Sequence, residues 1–322
     1  MISRLLWAVT VLSLIPALHA QAQPAWPTQP LRIIVPFAPG AFTDVAARSI
    51  AVPLTAQLGQ QVVVENRTGA GGTIGTEVVA RAAPDGHTLL LSDNSFAVSA
   101  GLYAKLPYDP VKDFIQVSEV AEAPAMLVGR LGLPAKTLKD VMDLARAKPG
   151  EFTFGSGGQG SSAHLAMELF LNVAGVKMTH VPYKGAAVAM TEVVAGHIDI
   201  AIASIALGMP YVRGAKIQGL AVTGKERSSM LPEVPTFAEA GCPGYRFTYW
   251  WGIAVRTTTP PQIVARLNQE IARAADNARL KENFVNQGAR AVTSSSAEFS
   301  QLVHEEIKVW KDVISKVGVK AE

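Results

Sequence analysis

Residues Leu31–Ile50, LRIIVPFAPGAFTDVAARSI, change character twice, and few folds accommodate that change. Leu31-Arg32-Ile33-Ile34-Val35 is short, apolar and rich in β-branched residues, the composition of a buried strand. Pro36 and Pro39 lack an N–H and fix φ, and Gly40 relaxes the backbone, so the strand must stop there. Thr43 and Asp44 are N-cap candidates for a helix carrying Val45, Ala46, Ala47 and Ile50. A tight loop between the carboxyl end of a strand and a helix N-terminus exposes free N–H groups and the positive end of the helix dipole. Such a loop holds an anion without any charged side chain.

The device recurs. Gln61–Glu65 reads as a strand, and the glycine-rich turn Asn66–Gly75 leads into a helix over about 73–82. His87–Leu91 is a third strand, with Ser92-Asp93-Asn94-Ser95 as the polar loop at its end. This β-α-β-α-β order argues a parallel sheet covered by helices, with ligands bound beyond the carboxyl ends of its strands. Phe114–Val128, broken at Ala123-Pro124, reads as a strand leaving the first domain. A second unit follows: a helix opened by Thr137, a strand Glu151–Phe154, and a glycine loop Gly155–Ser162 that opens a helix reaching Val173. Lys177–Val181, Ile198–Ala203 and Ile217–Thr223 are strands, with helices at Val188–Ala195 and Met209–Arg213. Tyr245–Val255 reads as an aromatic strand crossing back, and two amphipathic helices at about 261–275 and 296–316 cover the first sheet. The chain thus crosses between domains twice, a hinge of two strands.

A length of 322 residues fits two domains, and 49% hydrophobic with 17% charged residues supports a sizeable core. Lys and Arg are scattered singly at a net charge of +3, which argues against nucleic-acid binding. Met1–Arg4 is a basic segment, Leu5–Leu18 an apolar one, and Ala20-Gln21-Ala22 a cleavage site, so 1–22 reads as a signal peptide and the mature protein as exported and soluble. Cys242 is the only cysteine, so no intramolecular disulfide forms.

Gly155-x-Gly157-x-x-Gly160 matches the dinucleotide fingerprint literally, but the next strand ends His180-Val181-Pro182-Tyr183-Lys184, without the acidic residue that holds a ribose. No cofactor is expected. Ser161 or Ser162 with His164 would make a hydrolase, yet no G-x-S-x-G elbow exists and residues so close on one helix do not face each other. A packed His164 and a non-enzyme are expected, and no metal spacing is found among the histidines. Asp44, Asp93 and Asp199 are possible catalytic carboxylates, but caps and turns account for Asp44 and Asp93 more simply. The loops offer many hydroxyls (Thr43, Thr73, Ser92, Ser95, Ser156, Ser161, Ser162, Ser204) and almost no charge, which suits a carboxylate. Phe37, Phe42, Phe96 and Tyr183 near the same loops would either supply apolar walls or pack in the core.

Together these motifs resemble a known family. Pro36-Phe37-Ala38-Pro39-Gly40 with Thr43-Asp44, Val64-Glu65-Asn66-Arg67 with Gly69–Gly72, Ala83-Pro84-Asp85-Gly86, Gly155-Ser156-Gly157 through His164, His180–Gly185, and Leu231-Pro232-Glu233-Val234-Pro235 are similar to the Bug receptors of tripartite tricarboxylate transporters. The resemblance covers essentially the whole mature chain. It implies an α/β, two-lobed type II periplasmic binding protein of the Venus-flytrap kind, each lobe a mainly parallel sheet with helices on both faces. Lobe 1 would be 24–124 plus 246–322 and lobe 2 125–245, with hinge strands near 119–128 and 245–255.

The implied function is periplasmic capture of a small dicarboxylate, tricarboxylate or aromatic acid by a monomer. The partners would be transporter subunits in the membrane, or alternatively a sensor kinase. The implied ligand contacts are Phe37, Gly40, Ala41, Phe42, Thr43, Asp44, Ser92, Asn94, Ser156, Gly157, Gly160, Ser161, Ser162, His164, Tyr183, Lys184, Gly185 and Ser204. Two departures stand out. The family's Pro-Gly-Gly is Pro39-Gly40-Ala41 followed by Phe42, which would narrow or line the pocket. The stretch Ile202–Ala206 is neutral where the family often carries an acid, which points to a non-amino carboxylate unless Asp93 takes that place.

Overall fold

A computed structural model describes residues 26–318; the expected signal peptide, 1–22, lies outside the described residues. The chain opens with β1 (Leu31–Val35), α1 (Phe42–Leu58), β2 (Val62–Asn66), a 3-10 turn at Ala70–Gly72, α2 (Thr73–Ala80), β3 (Thr88–Asp93) and α3 (Asn94–Leu102). Two strands then follow end to end, β4 (Phe114–Ala123) and β5 (Ala125–Arg130), separated only by Pro124. The middle of the chain forms α4 (Leu138–Ala147), β6 (Thr153–Ser156), α5 (Ser162–Ala174), β7 (Thr179–Pro182), α6 (Ala186–Ala195), β8 (Ile200–Ser204), α7 (Ile205–Arg213) and β9 (Ile217–Val222). It ends with β10 (Tyr249–Arg256), α8 (Pro261–Ala275), α9 (Ala278–Asn286), β11 (Arg290–Ala291) and α10 (Ser296–Val317).

The strands form two sheets, ordered β11-β4-β10-β3-β1-β2 and β7-β6-β8-β5-β9. Strands of the repeated strand–loop–helix units run parallel: β1 with β2 and β3, and β6 with β7 and β8. The strands that carry the chain across pair antiparallel, β10 with β3 and β4, and β5 with β8 and β9, so each sheet is mixed. A proline cannot donate to a ladder, so Pro124 marks the point where the chain leaves one sheet for the other.

Period-two alternation sends successive side chains to opposite faces of each sheet. Ile33, Leu89, Leu91, Trp251 and Ile253 enter one cluster beneath α1 and α8, whereas Ile34, Leu90 and Trp250 enter another. That second cluster continues without a break through Leu127, Phe154, Leu165, Phe170 and Ile202 of the other sheet. The far face of the second sheet buries Met126, Val128, Ala201 and Ala203.

Four local expectations change. Helix α1 starts at Phe42 with Ala41 at the N-cap, because Thr43 and Asp44 spend their side chains elsewhere. Ser92–Ser95 is no open loop: Asp93 ends β3 and caps α3, accepting from the Ser95 N–H at 2.9 Å. A third helix, α9, capped by Asn277, lies between the two expected near the C-terminus. Strand β10 begins at Tyr249 rather than Tyr245, whose ring packs against Phe237 and Phe170 instead. Among the described residues, no helix is long and apolar enough to cross a membrane.

Candidate functional site

A cavity of about 920 Å³ lies between the two sheets. The first sheet's side supplies Phe37, Ala41, Phe42, Thr43, Asp93, Asn94 and Ser95, together with Tyr249 and Trp251 of β10. The second supplies Gln159, Gly160, Ser161, Ser162, Ala186, Ser204, Ala206 and Leu207. The N-termini of α1, α3, α5, α6 and α7 therefore all open onto one space. Asp93 is the only charged side chain in the lining among the described residues.

Each helix start is set by local chemistry. Ser161 caps α5 and Ser204 caps α7, their hydroxyls accepting from the His164 and Leu207 N–H groups. Those caps satisfy later amides and leave the first ones open. The Phe42 and Thr43 amides of α1, Ser162 of α5 and Ala206 of α7 meet no acceptor among the described residues. With the dipole ends behind them, they present uncharged donors of the kind that suit an anion from both sides of the cavity.

The Pro36–Ala41 loop is braced from below. Burial works to raise the Asp44 carboxyl, but hydrogen bonds from Arg48, Asn66 and the Gly40 amide together hold it below the usual carboxylate range. Asn66 Nδ2 also donates to the Phe37 carbonyl at 2.9 Å, so one residue of β2 fixes both ends of the loop. Thr43 Oγ1 donates to Asp93 Oδ2 at 3.0 Å and accepts from Trp251 Nε1 at 3.1 Å. Burial raises Asp93, against the bonds from Ser95 and Thr43. Phe42 leans on Trp251 with ring centroids 4.2 Å apart, forming an apolar wall beside the open amides. Burial pushes the Tyr249 phenol up to about 12, with the Ser162 side chain beside it working the other way.

Of the residues expected from sequence, Phe37, Ala41, Phe42, Thr43, Asn94, Gly160, Ser161, Ser162 and Ser204 line this cavity together. The other nine do not line it. Gly40 and Asp44 form the bracing beneath the loop. Ser92 is buried and donates to the Gly252 carbonyl. Ser156 is bonded to His180 Nε2 at 2.7 Å, and Gly157 packs against the α6 N-terminus. His164 is buried, with Nδ1 accepting the Gly160 N–H at 3.0 Å rather than a serine proton. Tyr183, Lys184 and Gly185 follow β7, an edge strand, and their loop sits to the side; Ala186 reaches the lining instead.

Leu102, Tyr103, Tyr249, Trp251 and Gln287 also line the cavity without having been expected from sequence, and Asp93 was expected there only as a possible partner for an amino group. For Tyr249 and Trp251 a signal existed: alternate residues of one aromatic strand share a face. No group of three His, Cys, Asp or Glu residues suited to a metal ion occurs among the described residues. Asp199 is paired with Arg130 at 2.9 Å, away from the cavity lining.

Comparison with known proteins places this geometry. The family model described as "Tripartite tricarboxylate transporter family receptor" matches residues 46–319. Protein BugT of Bordetella pertussis is 36% identical over 297 residues, covering 92% of this chain and 91% of that protein. A Rhodopseudomonas palustris protein solved with adipate is 33% identical at a TM-score of 0.76, covering 92% of this chain and 99% of that one. MatC of the same species, with bound malate, is 33% identical at a TM-score of 0.74, covering 90% of this chain and all (100%) of the other.

Proposed function

Because the chain belongs to the tripartite tricarboxylate transporter receptor family, we propose that it captures a small carboxylate in the cavity between its sheets. The observation that carries this reading is the set of open amides at α1, α5 and α7 around a lining without a cation. A carboxylate needs donors, and preorganised dipole ends supply them without the desolvation cost of a buried lysine or arginine. The aromatic wall of Phe42, Tyr249 and Trp251 would take the apolar body of the ligand.

In this reading residues 24–124 with 246–322 form one lobe and 125–245 the other. The lobes turn about the strands near Pro124 and Tyr249, and the ligand favours the closed state because each lobe contributes donors. The closed monomer delivers its ligand in the periplasm to the membrane subunits of a tripartite tricarboxylate-type transporter, without catalysis. The His164 ring, occupied by the Gly160 amide, supports a structural rather than a hydrolytic role.

The test is thermal unfolding of residues 23–322 against succinate, adipate, citrate, benzoate, nicotinate, aspartate and glutamate. A ligand at about a hundred times its Kd adds roughly 2.7 kcal/mol, enough to raise the midpoint by several degrees. A flat panel on protein shown by native mass spectrometry to be ligand-free would sink the proposal.

A further inference from the structure

An anion receptor with a carboxylate in its wall is an unusual combination, and the hydrogen bonds around Asp93 say what it demands of a ligand. Asp93 Oδ1 accepts from the N–H and the hydroxyl of Ser95, and Oδ2 accepts from Thr43 Oγ1. The Thr43 hydroxyl has no freedom to turn its proton to a ligand anion, since Trp251 Nε1 occupies its acceptor side. A carboxylate offers about four acceptor positions, so about one, on Oδ2, remains open on a side chain that lines the cavity. A ligand carboxylate placed against it would meet a like charge, and an alkyl group would leave the position unpaired. The open Phe42 and Thr43 amides lie in the same helical turn as the hydroxyl that bonds Asp93. One short ligand segment can therefore satisfy both.

Resting on the carboxylate-receptor reading above, we propose that Asp93 is a specificity-determining residue. It selects carboxylates that carry a hydrogen-bond donor, hydroxyl or ammonium, on the carbon next to the carboxylate held by α1. The carboxylate sits on the Phe42 and Thr43 amides and its neighbouring donor fills the open acceptor of Asp93. Unsubstituted acids bind more weakly because they leave that acceptor buried and unpaired.

The test is calorimetric titration of wild type and Asp93→Asn with two matched sets: succinate, malate and aspartate, and 3-phenylpropionate, 3-phenyllactate and phenylalanine. Asparagine keeps the size of the side chain and the α3 cap but turns part of the acceptor into a donor. In wild type, the hydroxy or amino member of at least one set binds ten-fold or more tighter than its unsubstituted partner. In Asp93→Asn that ratio falls to near one or inverts. A retained amino preference with a lost hydroxyl preference, or the converse, names which donor the wild type takes and supports the proposal equally. Equal binding across both sets in wild type, or no ratio that changes in Asp93→Asn, overturns it while leaving the carboxylate reading intact. If no member binds wild type that is shown to be ligand-free and folded, the carboxylate reading itself fails and takes this inference with it.

Discussion

The rings of His164 and His180 lie parallel, 3.8 Å between centroids and 11° apart in plane, directly beneath the glycine loop that lines the cavity. Phe154 packs beside the pair, its centroid 4.9 Å from His180 and 6.1 Å from His164, and Ser156 holds the His180 Nε2. Two imidazolium ions cannot share such a stack. Burial, and then the neighbouring His164, push His180 down to about 4 from an ordinary 6.5.

A His180 that is harder to protonate when folded stabilises the protein fully above pH 6.5, and that stability is lost as pH falls through about 4. The ring is partly solvated, so the loss is on the order of 1 kcal/mol after screening. Replacing His180 by Gln, which retains a partner for Ser156, should flatten the fall in melting temperature between pH 6.5 and 4. Equal slopes for the two proteins would show that the stack is not an acid-sensitive joint.

Glu306 of α10 behaves oppositely. Burial raises it to about 7, against hydrogen bonds from Trp310 and Asn94, and burial together with Glu122 and Glu306 raises Glu119 to a similar value. A carboxyl that resists ionisation in the folded state costs stability as pH climbs from 4.5 towards 7. Between pH 5 and pH 8 the stability difference should therefore move in favour of Glu306→Gln by on the order of 2–3 kcal/mol. Urea melts at both pH values measure it, and a pH-independent difference would rule it out.

Gly288 follows α9 at φ +68, and a Cβ there would stand 3.0 Å from the Ala206 amide on the opposite side of the cavity. Gly288→Ala should weaken carboxylate binding by about ten-fold, roughly 1.4 kcal/mol. Gly175, also left-handed at φ +63 but facing open space, is the control for backbone strain. Gly175→Ala should lose a similar 1–2 kcal/mol of stability while keeping its affinity. If both variants bind as wild type does, contact between α7 and the α9 turn does not limit closure.

Thr43→Val keeps the shape of the side chain and removes its hydroxyl. Trp251 Nε1 then loses its acceptor and Asp93 one donor, inside the cavity wall. The expected cost is about 1–3 kcal/mol in a chemical melt, with a parallel loss of affinity. A variant as stable as wild type would mean that water replaces the hydroxyl without penalty.

Much of this was readable from sequence, because the strand–loop–helix device is local. An apolar β-branched run, a proline or glycine stop and a capped helix need no long-range information. Helix α3 carries no readable period because Phe96, Ala97, Val98 and Ser99 are all buried, so no polar stripe marks it. Helix α9 did carry a signal, since Asn277 caps it and Leu280 and Phe284 are one turn apart on its buried side. Lys184 and Tyr183 were expected in the cavity because they follow a strand, but β7 is at the sheet margin, and strand order cannot be read from a strand's own residues. Asp93 and Trp251 come together from positions far apart in sequence, and only the strand order β10-β3-β1 joins them to Thr43.

Strand β10 sits between β3 and β4 in its sheet, yet it begins at Tyr249, after the whole of the other sheet has passed. Taken from the N-terminus, the strands up to Val222 are enough to complete the second sheet first. The first sheet meanwhile stands with an empty slot between β3 and β4, both edges unpaired. Its closure waits for a pairing of high sequence separation, the kind of step that slows folding and leaves strand edges open to self-association. The half of the molecule that is made first is therefore the half that is finished last.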